Sequence, residues 1–179
     1  GRVHALIGNH ETGFMRGDLR NVVPAEFEEF RTADSEKRLQ VAYDREVEAL
    51  RRRGEWPVTA AARDAFRSSW FERHPPGWVE HREAFAPMGT YGSWIRRNNA
   101  IVKINDTLFV HGGISPKYAA TRPSTINDGI RGELAQPPDS PAPMTEEVAS
   151  PLRYRGLAED EDKAPDSHVE RVLAAQGVR

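Results

Sequence analysis

Between Pro24 and about Arg97 the sequence carries helical periodicity alone, and its β-rich runs stand on either side of that stretch, near residues 2–7 and 100–110. A sheet that takes in the opening run must therefore join segments about a hundred residues apart, with the helical stretch inserted between them. The clearest helix of the insert begins at Asp34-Ser35 with Glu36 in its first turn. It aligns Leu39, Tyr43, Val47 and Leu50 on one face and stops at Gly54. Arg51-Arg52-Arg53 complement the carbonyl end of its dipole. A second helix is predicted over Thr59 to Arg73, stopped by Pro75-Pro76, and a third over Trp78 to Phe85, stopped by Pro87.

Ahead of the insert, Arg2-Val3-His4-Ala5-Leu6-Ile7 reads as a buried strand that runs into a polar loop, Gly8-Asn9-His10-Glu11. Behind it, Ala100 to Ile104 and Thr107 to Val110 are separated only by Asn105-Asp106, the signature of a two-residue hairpin, and the second strand delivers His111-Gly112-Gly113. Seven of the 13 prolines fall between Pro116 and Pro151, so Gln136 to Pro143 is expected to be a long surface loop. Pro151 to Leu157 reads as a short compact segment and Glu159 to Asp162 as a solvated acidic loop. A last helix, capped by Asp166 or Ser167, is expected to turn Val169, Val172 and Leu173 inward and to close at Gly177. Trp70, Trp78 and Trp94 are expected to pack the helical block, while His4, His74 and His81 read as structural or exposed. A strand pattern without a preceding turn at the start, and strand-like Val178-Arg179 at the end, read as two cuts in a longer chain.

Twenty-five Lys and Arg against 27 Asp and Glu leave a formal charge of −2, too little positive field for a nucleic-acid partner. The absence of cysteine excludes disulfides and thiolate metal sites and leaves His, Asp, Glu, Asn and backbone oxygens as possible ligands. No apolar run approaches the ~20 residues of a membrane span. A soluble protein is expected, cytoplasmic or periplasmic, with oligomeric state open.

Rigid strand ends are where α/β proteins place working groups, and here two of them carry histidine beside glycine. Asn9 offers an amide oxygen and His111 an imidazole nitrogen, both suited to hard or borderline divalent cations. His10 suits proton transfer to a departing alkoxide. Glycines beside them are expected to leave room for a phosphate.

In Gly8-Asn9-His10-Glu11 and in Phe109-Val110-His111-Gly112-Gly113-Ile114 the chain resembles the calcineurin-like metallophosphoesterases, in particular their bacterial phosphoprotein-phosphatase-like branch. Tyr91-Gly92-Ser93-Trp94-Ile95 and Ser150 to Leu157 add less specific matches. The resemblance implies an α/β class: a partial α/β/β/α metallophosphoesterase sandwich with a helical insert. Within one incomplete domain, 1–179, the sandwich pieces would be 1–17 and 98–179 and the insert 18–97. It implies a phosphatase acting on phosphate monoesters, phosphoproteins among them, by in-line attack of a metal-bound hydroxide. Two divalent metal ions (Mn, Fe or Zn) would serve as cofactors, with Asn9 and His111 ligating one ion, His10 acting as general acid and Arg155 gripping the phosphate. Arg153, two residues away, competes for that last role.

The family's Asp-x-His motif, a further upstream motif with Asp and Arg, and a later metal-binding His have no counterpart in the sequence and would lie before Gly1 and after Arg179. The fragment alone is therefore expected to bind metal poorly and to be inactive. The rival from another class is a non-catalytic binding module that engages partners through the stretch from Pro137 to Pro143; within the enzymes, the rival is a nucleotide or diester hydrolase.

Overall fold

A computed structural model describes residues 3–158 and 166–179. Along it run α1 (Asn9–Arg16), α2 (Pro24–Glu29), α3 (Ser35–Arg53), α4 (Ala60–Arg73), α5 (Trp78–Phe85) and α6 (Thr90–Ile95). The hairpin β1 (Ile101–Ile104) and β2 (Thr107–Val110) follows, then α7 (Pro123–Leu134), α8 (Pro143–Glu146) and α9 (Asp166–Gln176). The chain divides into two compact units, one made of 1–19 with 85–179 and the other of 20–84.

The helical unit, 20–84, is organised by α3. Leu39, Tyr43 and Val47 recur at spacings of four on its buried face and close a core with Trp70 of α4. The Tyr43 and Trp70 rings meet edge to face at 5.3 Å, and His74 stacks on Trp70 at 4.2 Å. Thr59 caps α4 by accepting from the Ala62 amide, and Gly54 ends α3 at φ +73°, where a side chain would be strained. Buried Ser35 donates to Glu80 Oε1 at 2.8 Å, which lets a carboxylate stay inside. His81, wholly buried, lies between the rings of Phe27 and Phe30.

The mixed unit is built around Ile7, Ile101, Ile114, Ile126, Ile130 and Leu152, each at most 2% exposed. The hairpin forms in the register Ile101↔Val110 to Ile104↔Thr107. Asn105 takes φ +55° in its turn, a conformation asparagine tolerates better than most residues. Buried Asn127 of α7 secures the start of β1: its Oδ1 accepts from the Ala100 and Ile101 amides and its Nδ2 donates to Ile101 O. The α7 helix lies inside the proline-dense region, where patterning by proline count hides it. Pro123 sits at its start, where an amide hydrogen is not needed, and Ile126, Ile130 and Leu134 form its apolar stripe. Pro137 to Ala142 remains irregular, but it is held. The Arg16 guanidinium, with 6% of its side chain exposed, donates to Pro138 O, to Ser140 O and to Glu146.

Several expectations need correction. The run 2–7 is not a buried strand over its described length: Val3 is 96% exposed, and pairing is confined to a parallel bridge between Leu6 and Asn99 with one hydrogen bond, Ile7 N to Asn99 O. Apolar periodicity makes a strand only where a neighbouring backbone is there to pair with it. Among the described residues there is one two-stranded sheet and no α/β/β/α sandwich, so the observed class is mixed helix and strand with helix dominant. On α9, Val172 is buried but Val169 is 38% exposed, and Trp94 is 49% exposed and belongs to the mixed unit. The acidic run at Glu159 to Asp162 lies outside the described residues, as does the side chain of Asp166. No described helix is long and apolar enough to cross a membrane.

Candidate functional site

Gly8-Asn9-His10-Glu11 is the start of α1 and not a loop. Glu11, in the third helical position, reaches back so that its Oε2 accepts from the Gly8 amide at 2.8 Å, and Thr12 Oγ1 donates to Asn9 O at 3.1 Å. The Glu11 contact satisfies an amide that an uncapped first turn would leave to solvent, and the Thr12 hydroxyl adds a second bond to the Asn9 carbonyl within the turn. Asn9 and His10 are therefore fixed on a helix, about 100° apart around its axis.

Across the unit, β2 ends in His111, whose Nε2 stands 2.8 Å from Asn9 Oδ1 although 102 residues separate the two. An amide oxygen only accepts, so the contact assigns the proton to Nε2. The glycines around the pair have a different use from the one expected. A Cβ on Gly8 would come within 2.8 Å of Glu11 Oε2 and 3.0 Å of the His111 ring; one on Gly112 would come within 2.8 Å of Pro151 O. Their missing side chains make room for protein, letting His111 approach α1 and letting its loop lie against the backbone of 151–154. Gly112 N donates to Pro151 O at 3.0 Å across that approach.

That approach places two arginines beside the pair. Asn9, His111, Gly112, Leu152, Arg153, Arg155 and Ala158 line a cavity of about 380 Å³. Arg153 Nε donates to Thr145 O at 3.0 Å, which anchors its guanidinium at the wall, while Arg155 is exposed. Three of the four predicted site residues, Asn9, His111 and Arg155, thus share one cavity. The fourth, His10, is exposed and is not among its described lining residues; its ring meets the edge of Phe14 at 6.4 Å instead.

The amide oxygen and imidazole nitrogen fit a divalent cation in kind, since both are neutral donors of the type such ions take alongside water. Their number is less than a coordination sphere. Among the described residues no three His, Cys, Asp or Glu side chains come together as a metal group.

One supporting residue escaped sequence reasoning. His168 of α9 is 2% exposed, and its Nε2 donates to Ile114 O at 2.9 Å, tying the helix to the loop that carries His111. A lone histidine on an amphipathic helix gives no signal of such a partner. The same loop is fastened further on, where the Glu147 carboxylate accepts from Lys117 Nζ at 2.7 Å and from Tyr118 Oη at 2.6 Å. The lysine holds that carboxyl below its ordinary range, and burial, reinforced by the carboxylate, pushes the Tyr118 phenol up.

The fold that carries this cavity has counterparts among solved structures. Over 99% of its length the chain is similar to the solved structure of a cold-active protein-tyrosine phosphatase from a psychrophile, Shewanella sp., with a TM-score of 0.59 and 22% identity. A point mutant of a cold-active protein tyrosine phosphatase gives 0.59 at 21% identity, and a further cold-active protein tyrosine phosphatase structure gives 0.58 at 21%. The chain spans about 42% of the length of the first two. No family model and no curated protein matches the sequence.

Proposed function

We propose that this chain forms part of the active site of a metal-dependent phosphoesterase that hydrolyses phosphate monoesters, phosphoproteins among them. The observation that carries the reading is the shared cavity: Asn9 and His111 touch, Arg153 and Arg155 stand beside them, and no carboxylate is among its described lining residues. Such a wall attracts an anion and repels none. The name of the structurally similar proteins, protein tyrosine phosphatase, agrees with a monoester and favours phosphotyrosine within that class.

In this reading Asn9 and His111 hold one ion of a divalent metal pair, the rest of whose ligands come from outside the described residues. When bound, such a pair supplies an activated water and stabilises charge on the phosphate oxygens. To ligate through Nε2, His111 would take the neutral tautomer with its proton on Nδ1, so that Nε2 and Asn9 Oδ1 would both present lone pairs to the cation. Arg155 grips the phosphate with a planar fork of donors, and Arg153, held by Thr145, orients it from the wall. His10, on the outer side of α1, protonates the leaving oxygen of a substrate that extends from the cavity along that helix.

The test uses the complete protein with added manganese and an aryl phosphate. His10→Ala should lower turnover with metal content retained, and His111→Ala should lower metal content itself. Arg155→Ala should raise KM more than it lowers kcat. Wild-type turnover in both histidine variants would refute the assignment.

A further inference from the structure

Helix α3 has two distinct faces. Leu39, Tyr43 and Val47 turn one of them into the core of the helical unit. At about 100° per residue, Lys37, Arg38, Val41, Ala42 and Arg45 fall within an arc of about 140° on the opposite side. Together with Asp34 just ahead of α3, and with Val79 and Glu83 of α5, they line a groove of about 350 Å³. Ala42 and Val79 pack against the edge of the core, whereas Val41 is 43% exposed. A β-branched residue at an exposed helical position adds little to helix propensity, and this one adds nothing to the core.

The two helices that border the groove are pinned to each other. Ser35 Oγ donates to Glu80 Oε1 at 2.8 Å, and the Arg38 guanidinium pairs with Glu83 and approaches Glu80 at 3.7 Å. Arg38 and Glu83 thus neutralise one another. Asp34 stands at the amino end of α3, where the helix dipole favours a carboxylate. Lys37 and Arg45 have no comparable role within the unit. They lie one turn before and one turn after Val41, both are exposed, and neither has an ion-pair partner among the described residues. Lys37 is moreover in the first turn, where the dipole disfavours a cation.

We propose that this groove receives an amphipathic helix of a partner polypeptide, with a large apolar side chain seated on Val41, Ala42 and Val79 and a carboxylate one turn to either side of it, against Lys37 and Arg45. From Lys37 to Arg45 the helix rises about 12 Å, a span that two acids eight residues apart on a facing helix reproduce in either direction. Asp34 and Glu83 in the same groove suit a partner with localised acids and disfavour a uniformly anionic membrane surface. Every residue involved belongs to the helical unit, so the phosphoesterase reading plays no part.

A labelled helical peptide with leucine flanked four residues away on each side by glutamate provides the probe. By fluorescence anisotropy it should bind the intact chain roughly tenfold more tightly than a twin with serine and glutamine in those places. Raising the salt concentration should shrink the difference. The double variant Lys37→Glu, Arg45→Glu should transfer the preference to a peptide with lysine in place of both glutamates. Val41→Ser should remove the share that leucine contributes, and all these variants should keep the circular dichroism spectrum because none touches the core. Equal affinity for the twins, or a wild-type preference in the double variant, would overturn the proposal. So would binding to phosphatidylserine vesicles without any peptide preference, which would make a membrane the occupant. Self-association in sedimentation that Val41→Ser dissociates, in the absence of peptide binding, would overturn it too, since a second copy would then fill the groove.

Discussion

His111 Nε2 and Asn9 Oδ1 meet at 2.8 Å across 102 residues of sequence, and the meeting is possible because Gly8 has no side chain. The backbone at Gly8 is ordinary, with φ −109° and ψ 179°, so what glycine supplies there is space alone.

Gly8→Ala therefore isolates a steric effect. The added methyl must displace the Glu11 carboxylate, the His111 ring or both, and the first of these breaks its bond to the Gly8 amide. We expect a loss of about 1–2 kcal/mol in stability from the damaged cap and forced repacking. In an NMR spectrum the His111 imidazole should lose the signature of a hydrogen-bonded Nε2 proton. An unshifted His111 resonance would show that the contact does not depend on that space.

Asn127 satisfies two amides and one carbonyl at the start of β1, all buried. Asn127→Ala removes every partner at once, and unpaired buried backbone groups cost more than the bonds themselves contribute. Chemical denaturation should report about 3 kcal/mol of destabilisation, with fast hydrogen exchange at Ala100 and Ile101. Protection retained at those two amides would count against the prediction.

Arg16 is the fastening of the proline-rich loop. Arg16→Ala should cost about 2–3 kcal/mol through loss of charge-assisted bonds to two carbonyls and a carboxylate. Limited proteolysis should then cut within 136–141 well before the rest of the chain. An unchanged cleavage pattern would mean that the loop is held by other contacts.

In the helical unit, burial lowers the pKa of both His74 and His81, the latter against a partial counter-effect from Glu26. The folded unit thus disfavours the protonated rings, while the unfolded chain protonates them near their ordinary value of about 6.5. Stability should be level above that pH and fall as pH drops below it, since the unfolded state then binds more protons. Denaturation midpoints at pH 7.5 and 5.5 should differ in that direction, and His81→Phe should flatten the difference. A midpoint that rises on acidification would contradict the sign.

The helical unit was legible because each of its signals is local. Leu39, Tyr43 and Val47 at spacings of four, the stop at Gly54, the cap at Thr59 and the proline pair after α4 act within one or two turns, and the helices form where they point. The hairpin at Asn105-Asp106 is local in the same sense. By contrast α7 was hidden, since counting prolines overlooks that Pro123 is harmless at a first helical position. The opening run failed for another reason, as a strand needs a partner that periodicity does not name.

The residue types of the candidate site, Asn9, His10, His111 and Arg155, stood in the sequence. So did their separation into two glycine-flanked motifs and a late arginine. Which of them would converge was decided by tertiary structure: Gly8 admits the His111 ring and Gly112 a close backbone approach, and these bring Asn9, His111 and Arg155 into one cavity while the helical turn of α1 points His10 elsewhere. The same holds for His168, whose tie to Ile114 no spacing announces. Local propensity acts through a few neighbouring residues, whereas convergence depends on which surfaces can approach without a side chain in the way.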